Sequence, residues 1–148
     1  TKVGDFLTSG GQHTVTYMED DSLESGQYYL YMFNNNFGYS KTRKDYDWTV
    51  NEGIQTSITE GTTSYYYQYL VDENEGTYTL VNSFEVPFSA YVSSAQNLGE
   101  HIVVDSGIAG LLSIDDTDGN LEQQLSIKKN DRFIYRIYYY DYKGYYFS

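Results

Sequence analysis

The stretch Tyr65-Tyr66-Tyr67-Gln68-Tyr69-Leu70-Val71-Asp72-Glu73-Asn74-Glu75-Gly76-Thr77-Tyr78-Thr79-Leu80-Val81-Asn82-Ser83-Phe84-Glu85-Val86 reads as two strands folded about an acidic turn. Aromatic and β-branched residues fill both arms, as a pleated, half-buried surface favours. The same order returns over 108–129, where a second apolar arm leads into Ile114-Asp115-Asp116-Thr117-Asp118-Gly119-Asn120 and out into another strand. The 43 residues between Tyr78 and Leu121 fall within the period of a four-stranded propeller blade.

Outward from this repeat, alternation of period two recurs and no sustained helical period does, so the chain reads as all-β. Strands are expected at His13–Glu19, Gln27–Asn34, Ser64–Val71, Tyr78–Val86, Tyr91–Asn97, His101–Asp105, Gly110–Asp115, Leu121–Lys128 and Arg132–Tyr142, with a short last one at Tyr145–Phe147. Each repeated hairpin follows two further strands, which gives a blade at about 13–86 and another at about 91–128. The terminal strand, within 132–147, is then left for a neighbouring blade. A repeat unit cannot bury both faces alone, so the remaining blades are expected from the same parent chain or from further copies, for example three two-blade chains in one ring.

The chain has 148 residues, nine Lys plus Arg and 21 Asp plus Glu, a formal charge of −12. A field of that sign repels phosphate backbones and anionic headgroups, so no nucleic-acid partner is expected. No apolar run is long enough to span a bilayer, since Phe84–Val92 is interrupted by Glu85, Pro87 and Ser89, and no membrane insertion is expected. The opening Thr-Lys-Val-Gly-Asp-Phe does not read as a secretory signal. Cysteine is absent, which removes disulfides, thiolate nucleophiles and Cys-type zinc sites. The 19 Tyr suit half-buried strand faces.

The chemistry-bearing residues are few. His13 lies in Gly10-Gly11-Gln12-His13-Thr14-Val15, at a strand entry where glycines permit close approach of a ligand or another strand. His101, after Gly99, reads as an ordinary imidazole at a strand end. Asn34, Asn35 and Asn36 close an alternating strand and offer both donors and acceptors, to a strand cap or to a polar ligand. The long irregular stretch Phe37–Thr63 carries Lys41, Arg43 and Lys44 beside Asp45, Asp47 and Trp48. If it folds over the end that holds His13 and Asn34, Arg43 is the natural clamp for an oxyanion. The acidic turn at Asp115–Asn120 lacks the long loop and terminal Glu of an EF-hand, so no metal site is expected. P-loop, dinucleotide, Gly-x-Ser-x-Gly and His-Glu-x-x-His signatures are absent, and no cofactor is expected. The ladder Arg132–Tyr142 reads as a strand whose rings pack between blades, or as an aromatic platform for a sugar or phenol.

Gly-Gln-His-Thr-Val followed by Tyr-Tyr-Leu-Tyr-Met-Phe-Asn-Asn-Asn resembles the Gln-His and Phe-Asp-Asn-Gly segments of the bacterial arylsulfate sulfotransferase family. Tyr91-Val92-Ser93-Ser94-Ala95-Gln96, Val103-Val104-Asp105-Ser106-Gly107, Phe133-Ile134-Tyr135-Arg136 and Gly144-Tyr145-Tyr146-Phe147 are similar in order and spacing to the C-terminal part of its Firmicute-type members. The resemblance implies the C-terminal portion of a six-bladed propeller in or outside the bacterial envelope. It also implies transfer of a sulfuryl group from a phenolic sulfate ester to a phenol through a sulfated histidine, without phosphoadenosine phosphosulfate. His13 matches the histidine of the Gln-His motif and would orient the sulfuryl oxygens or protonate the leaving phenolate, with Arg43 neutralising developing charge. Gln12, Asn34, Asn35, Tyr91 and Ser93 are the expected substrate-binding residues. Where some relatives carry another His, this chain has Ser93 and Ser94. The competing expectation is a catalytically silent binding or assembly module that uses its Tyr-rich faces.

Overall fold

A computed structural model describes residues 1–58, 63–128 and 130–141, and its regular structure is all-β apart from one 3-10 turn at Trp48–Val50. Tyr142 and the strand expected at Tyr145–Phe147 lie outside the described residues. Two four-stranded antiparallel sheets follow each other in the chain. The first is β1 (His13–Met18), β2 (Gln27–Asn34), β3 (Ser64–Asp72) and β4 (Thr77–Val86), and the second is β5 (Ser94–Asn97), β6 (His101–Ser106), β7 (Leu111–Asp116) and β8 (Leu121–Ser126), each paired in sequence order. The two acidic turns join β3 to β4 and β7 to β8, as their spacing predicts.

The strand expected over Tyr91–Asn97 begins only at Ser94, because Val92 and Ser93 have φ of 59° and 89° and cannot extend a ladder. The strand expected from Arg132 is also not one: 132–141 enters no ladder. It runs alongside β5 in the same direction, held mainly by side chains. The Ser93 N–H donates to Tyr135 O, Ser94 Oγ donates to Ile137 O and accepts from the Ile137 N–H, and Gln96 makes the same paired bonds to Tyr139. Ser94 and Gln96 thus take the place of backbone partners. Nearby, the Ile134 N–H donates to Gly107 O, and a Cβ at Gly107 would lie 1.9 Å from Ile134 O, so only glycine lets the segment cross there.

Alternation gives each sheet two faces. Tyr31, Phe33, Tyr66 and Val86 of the first sheet meet Ala95, Ile102 and Val104 of the second. Phe33, Tyr66 and Ile102 are fully buried, each worth about 1.5–3 kcal/mol of apolar burial. Tyr66 stacks on Phe84 at 5.0 Å, donates its hydroxyl to Gln68 Oε1 and accepts from Asn97 Nδ2, so one phenol ties both sheets. Burial pushes its pKa up, which keeps it a donor. On the far face of the first sheet, Met32, Tyr67 and Tyr69 cluster with Phe6 beside an open groove of about 600 Å³ lined in part by Gln12, Val15 and Leu30.

The alternate residues of β6 face the 132–141 side. Asp105, opposite Ser94 and Leu112, is fully buried there, and neither carboxyl oxygen has a hydrogen-bond partner among the described residues. Desolvation pushes its pKa up to about 7. The folded state therefore binds this proton more tightly than the unfolded chain, and the stability it brings is complete below about pH 4 and lost as pH rises through 7. Thermal unfolding of wild type and Asp105→Asn should show the variant gaining on wild type between about pH 4 and 8, by about 4 kcal/mol. A difference independent of pH would show that the carboxyl is not desolvated.

Candidate functional site

One end of both sheets collects the start of β1, the end of β2, the start of β3 and the 87–93 linker into the second sheet. The Asn34-Asn35-Asn36 run ends β2 here and is buried throughout. Its members do different work. Asn34 Oδ1 accepts from the Gly10 and Asn36 N–H groups at 2.9 and 3.0 Å, which fastens the 8–11 segment to the strand end. Asn36, at φ 55°, turns the chain into the long loop, whose base is closed by Gly38 N–H to Gln55 O and Gln55 N–H to Asn36 O.

Asn35 reaches the other way. Both hydrogens of Nδ2 are used, one on Ser89 O at 2.6 Å and one on Val92 O at 2.9 Å, so its Oδ1 is the atom that meets His13 Nδ1 at 2.7 Å. Gly11 O lies 3.0 Å from the same nitrogen. Two acceptors facing Nδ1 require that it carry a proton, which in the neutral ring leaves the lone pair on Nε2. Nε2 has no partner among the described residues. The structure thus presents a half-buried imidazole of fixed tautomer with an open acceptor nitrogen.

Serines set the Asn35 amide in place. Ser64 Oγ donates to Asn35 O and accepts from the Ser89 N–H, while Ser89 Oγ accepts from the Ile108 N–H and from Ser93 Oγ and donates to Tyr91 O. Ser93 Oγ in turn accepts from the Gly107 N–H, and Ser93 O accepts from Thr14 Oγ1 at 3.0 Å. Every segment at this end is therefore in one hydrogen-bonded network. The backbone is strained at the same place: Thr14, Val92 and Ser93 all have positive φ, and the β1–β2 register slips between His13 and Thr16. Such conformations cost about 1–3 kcal/mol each and persist where the surroundings over-determine them.

The other expected residues are scattered. Gln12 is exposed and lines the groove on the far face of the first sheet. Tyr91 is 41% exposed, with its ring edge-on to Phe133 at 5.8 Å. Ser93 is wholly buried and engaged in the network. Arg43 is exposed, its guanidinium 4.2 Å from the centre of the Tyr46 ring, and lines a small cavity with Ser9 and Gly10 that His13 does not line. His101 pairs with Glu122 at 2.7 Å, about half exposed, which fits a surface imidazole. Ser64 and Ser89, which sequence reasoning does not single out, carry no signal beyond polarity beside aromatic strands.

Neither the curated proteins nor the solved structures gave a match. The family model described as Arylsulfotransferase (ASST) matches residues 1–143. With a match over nearly its whole length, the chain belongs to the arylsulfotransferase family.

Proposed function

We propose that the chain is the His13-bearing portion of an enzyme that moves a sulfuryl group from a phenolic sulfate ester to a phenol, without phosphoadenosine phosphosulfate. The observation that carries this reading is the Asn35–His13 pair, which holds Nδ1 as the donor and leaves Nε2 with its lone pair free. A neutral Nε2 accepts and does not donate, so His13 is better suited to attack than to hydrogen-bond sulfuryl oxygens. In the proposed sequence, Nε2 bonds to sulfur as the S–O bond to the first phenolate breaks. The acceptor phenol, losing its proton to solvent, then bonds to sulfur as the S–N bond breaks and the lone pair returns. Charge is conserved without a redox partner, and the catalysis needed is positioning and charge stabilisation. Asn35 acts as a positioning residue, since its Oδ1 stabilises the positive charge that Nδ1 shares once Nε2 is substituted.

The reading includes a propeller. β1 and β5 start at the same end, joined by Thr14 Oγ1 on Ser93 O, and 132–141 runs beside β5 in the same direction. Three leading segments side by side, with two sheets packed face to face behind the first two, support this reading, since blades around a propeller axis would be arranged in that way. On this reading 132–141 leads a third blade, and the remaining blades come from the parent chain or from other copies.

His13→Ala should lower transfer from a chromogenic aryl sulfate to a phenol by at least about 10²-fold. It should also abolish the burst of released phenol that wild type gives when acceptor is withheld; a burst that survives removes His13 as the nucleophile. Asn35→Ala should lower kcat more than it raises KM, and it should cost about 2–4 kcal/mol of stability by unpairing Ser89 O and Val92 O. Equal kcat in folded variant and wild type would reduce Asn35 to a structural clamp.

A further inference from the structure

The two faces of β6 carry different chemistry. Ile102 and Val104 point into the core between the sheets, whereas Val103 and Asp105 alternate onto the opposite face. Directly opposite residues of an antiparallel pair share a face, with their Cβ atoms about 4.5–5.5 Å apart. Ser94 of β5 and Leu112 of β7 therefore flank Asp105. Ser94 is also a residue that clamps 132–141, its hydroxyl donating to Ile137 O at 3.0 Å and accepting from the Ile137 N–H at 3.0 Å. A buried carboxyl with no partner among the described residues thus sits straight across the ladder from a hydroxyl on which the segment hangs.

The charged groups around Asp105 stand off from it. β5 carries no ionisable side chain. On the same face of the sheet, His101 of β6 and Asp116 of β7 are opposite each other four residues along the strand, with Glu122 of β8 bonded to His101. Asp115 of β7 pairs with Ile102 and so faces the core. On 132–141 itself, Arg132, Arg136, Asp141 and three of the four tyrosines are exposed, and Tyr138 is half-buried. None of these bears on the Asp105 carboxyl, whose ionisation is opposed by desolvation alone.

We propose that Asp105 is a pH-sensitive latch for the 132–141 segment, closed while its carboxyl is protonated and opened when the carboxylate forms and draws the Ser94 hydroxyl to itself. The proton leaves to solvent. A carboxylate can only accept, so once charged in a buried place it must recruit donors. Ser94 Oγ is directly across, and turning its hydrogen onto Asp105 takes it from Ile137 O. Burial pushes the Asp105 pKa up to about 7, so the latch opens through neutral pH and closes in acid. The head of the segment reaches further: Tyr135 O is held by the Ser93 N–H, and Ser93 O accepts from Thr14 Oγ1, next to His13. Release of the segment therefore touches the network at the His13 end, while the latch itself is independent of the transfer chemistry.

The Ile137 and Tyr139 N–H groups donate to Ser94 Oγ and Gln96 Oε1, so their hydrogen exchange, corrected for its intrinsic pH dependence, reads the latch directly. In wild type both amides should be less protected than those of the β2–β3 ladder, and their protection should fall about ten-fold or more from about pH 5.5 to about pH 8. In Asp105→Asn it should stay level over that range. Ser94→Ala, which keeps the carboxyl and serves if Asp105→Asn fails to fold, should lower Ile137 protection about ten-fold at about pH 5.5. Protection in wild type that ignores pH, or a pH dependence that survives Asp105→Asn, overturns the proposal. So does exchange of the segment only at the rate of the β2–β3 amides, which would mean that it opens only with the whole chain, and so does Ile137 protection unchanged in Ser94→Ala.

Discussion

The buried amide of Asn35 is the constraint on which the His13 end of the molecule depends. A primary amide has two donors and one acceptor group, and here all are committed: the donors to the linker that carries the chain from the first sheet to the second, the acceptor to His13. Because the linker carbonyls can only accept, the amide has one orientation, and because the amide has one orientation, the imidazole has one tautomer. The path of the chain between the sheets and the protonation of the histidine are thus a single decision. Leaving any of these groups unpaired in a buried place would cost about 1–3 kcal/mol, which is why the serines around it are spent on backbone rather than exposed to solvent.

Much of the fold is written in the sequence as alternation. β2 is found at its expected residues, and the remaining strands of both sheets fall within a few residues of theirs, because half-buried antiparallel strands must place apolar side chains at every second position. The failures share a cause. Tyr91–Ser93 and 132–141 alternate as strands do, yet the first is bent by positive φ and the second is held through Ser94 and Gln96 instead of a ladder. Periodicity records which side chains are buried, and it does not record whether the backbone between them has a partner strand.

The site was legible in part for a similar reason. The Gly-Gln-His-Thr-Val motif marked His13, and the three asparagines marked a polar strand end, but an Asn run serves equally as cap, turn or ligand site. Only the fold separates Asn34, which fastens the 8–11 segment, from Asn35, which reaches the histidine. Arg43 was marked by its charge, whereas its aromatic neighbours were hidden in a stretch with no period to read. Trp48 and Ile54 pack against Gly38 and Gly10, which are distant in sequence from one another and adjacent in space.

Electrostatics gives the arrangement its sense. An anion approaching a chain of charge −12 meets a repulsive field, so recognition has to come from short-range, directed groups. At the His13 end the directing group is an uncharged amide that orients the imidazole, with no ion pair at the ring among the described residues. In the loop the cation Arg43 lies over the Tyr46 ring, where a guanidinium keeps its charge whatever the pH, among Asp45, Asp47 and Glu52. On the proposed reading, a nitrogen that must attack sulfur is served by this neutral setting, because a fixed cation beside it would draw away the lone pair. The cation sits on the loop and the amide on the strand end, with Ser9–Gly11 as the segment between them: Ser9 and Gly10 line the cavity beside Arg43, and Gly11 O faces His13 Nδ1.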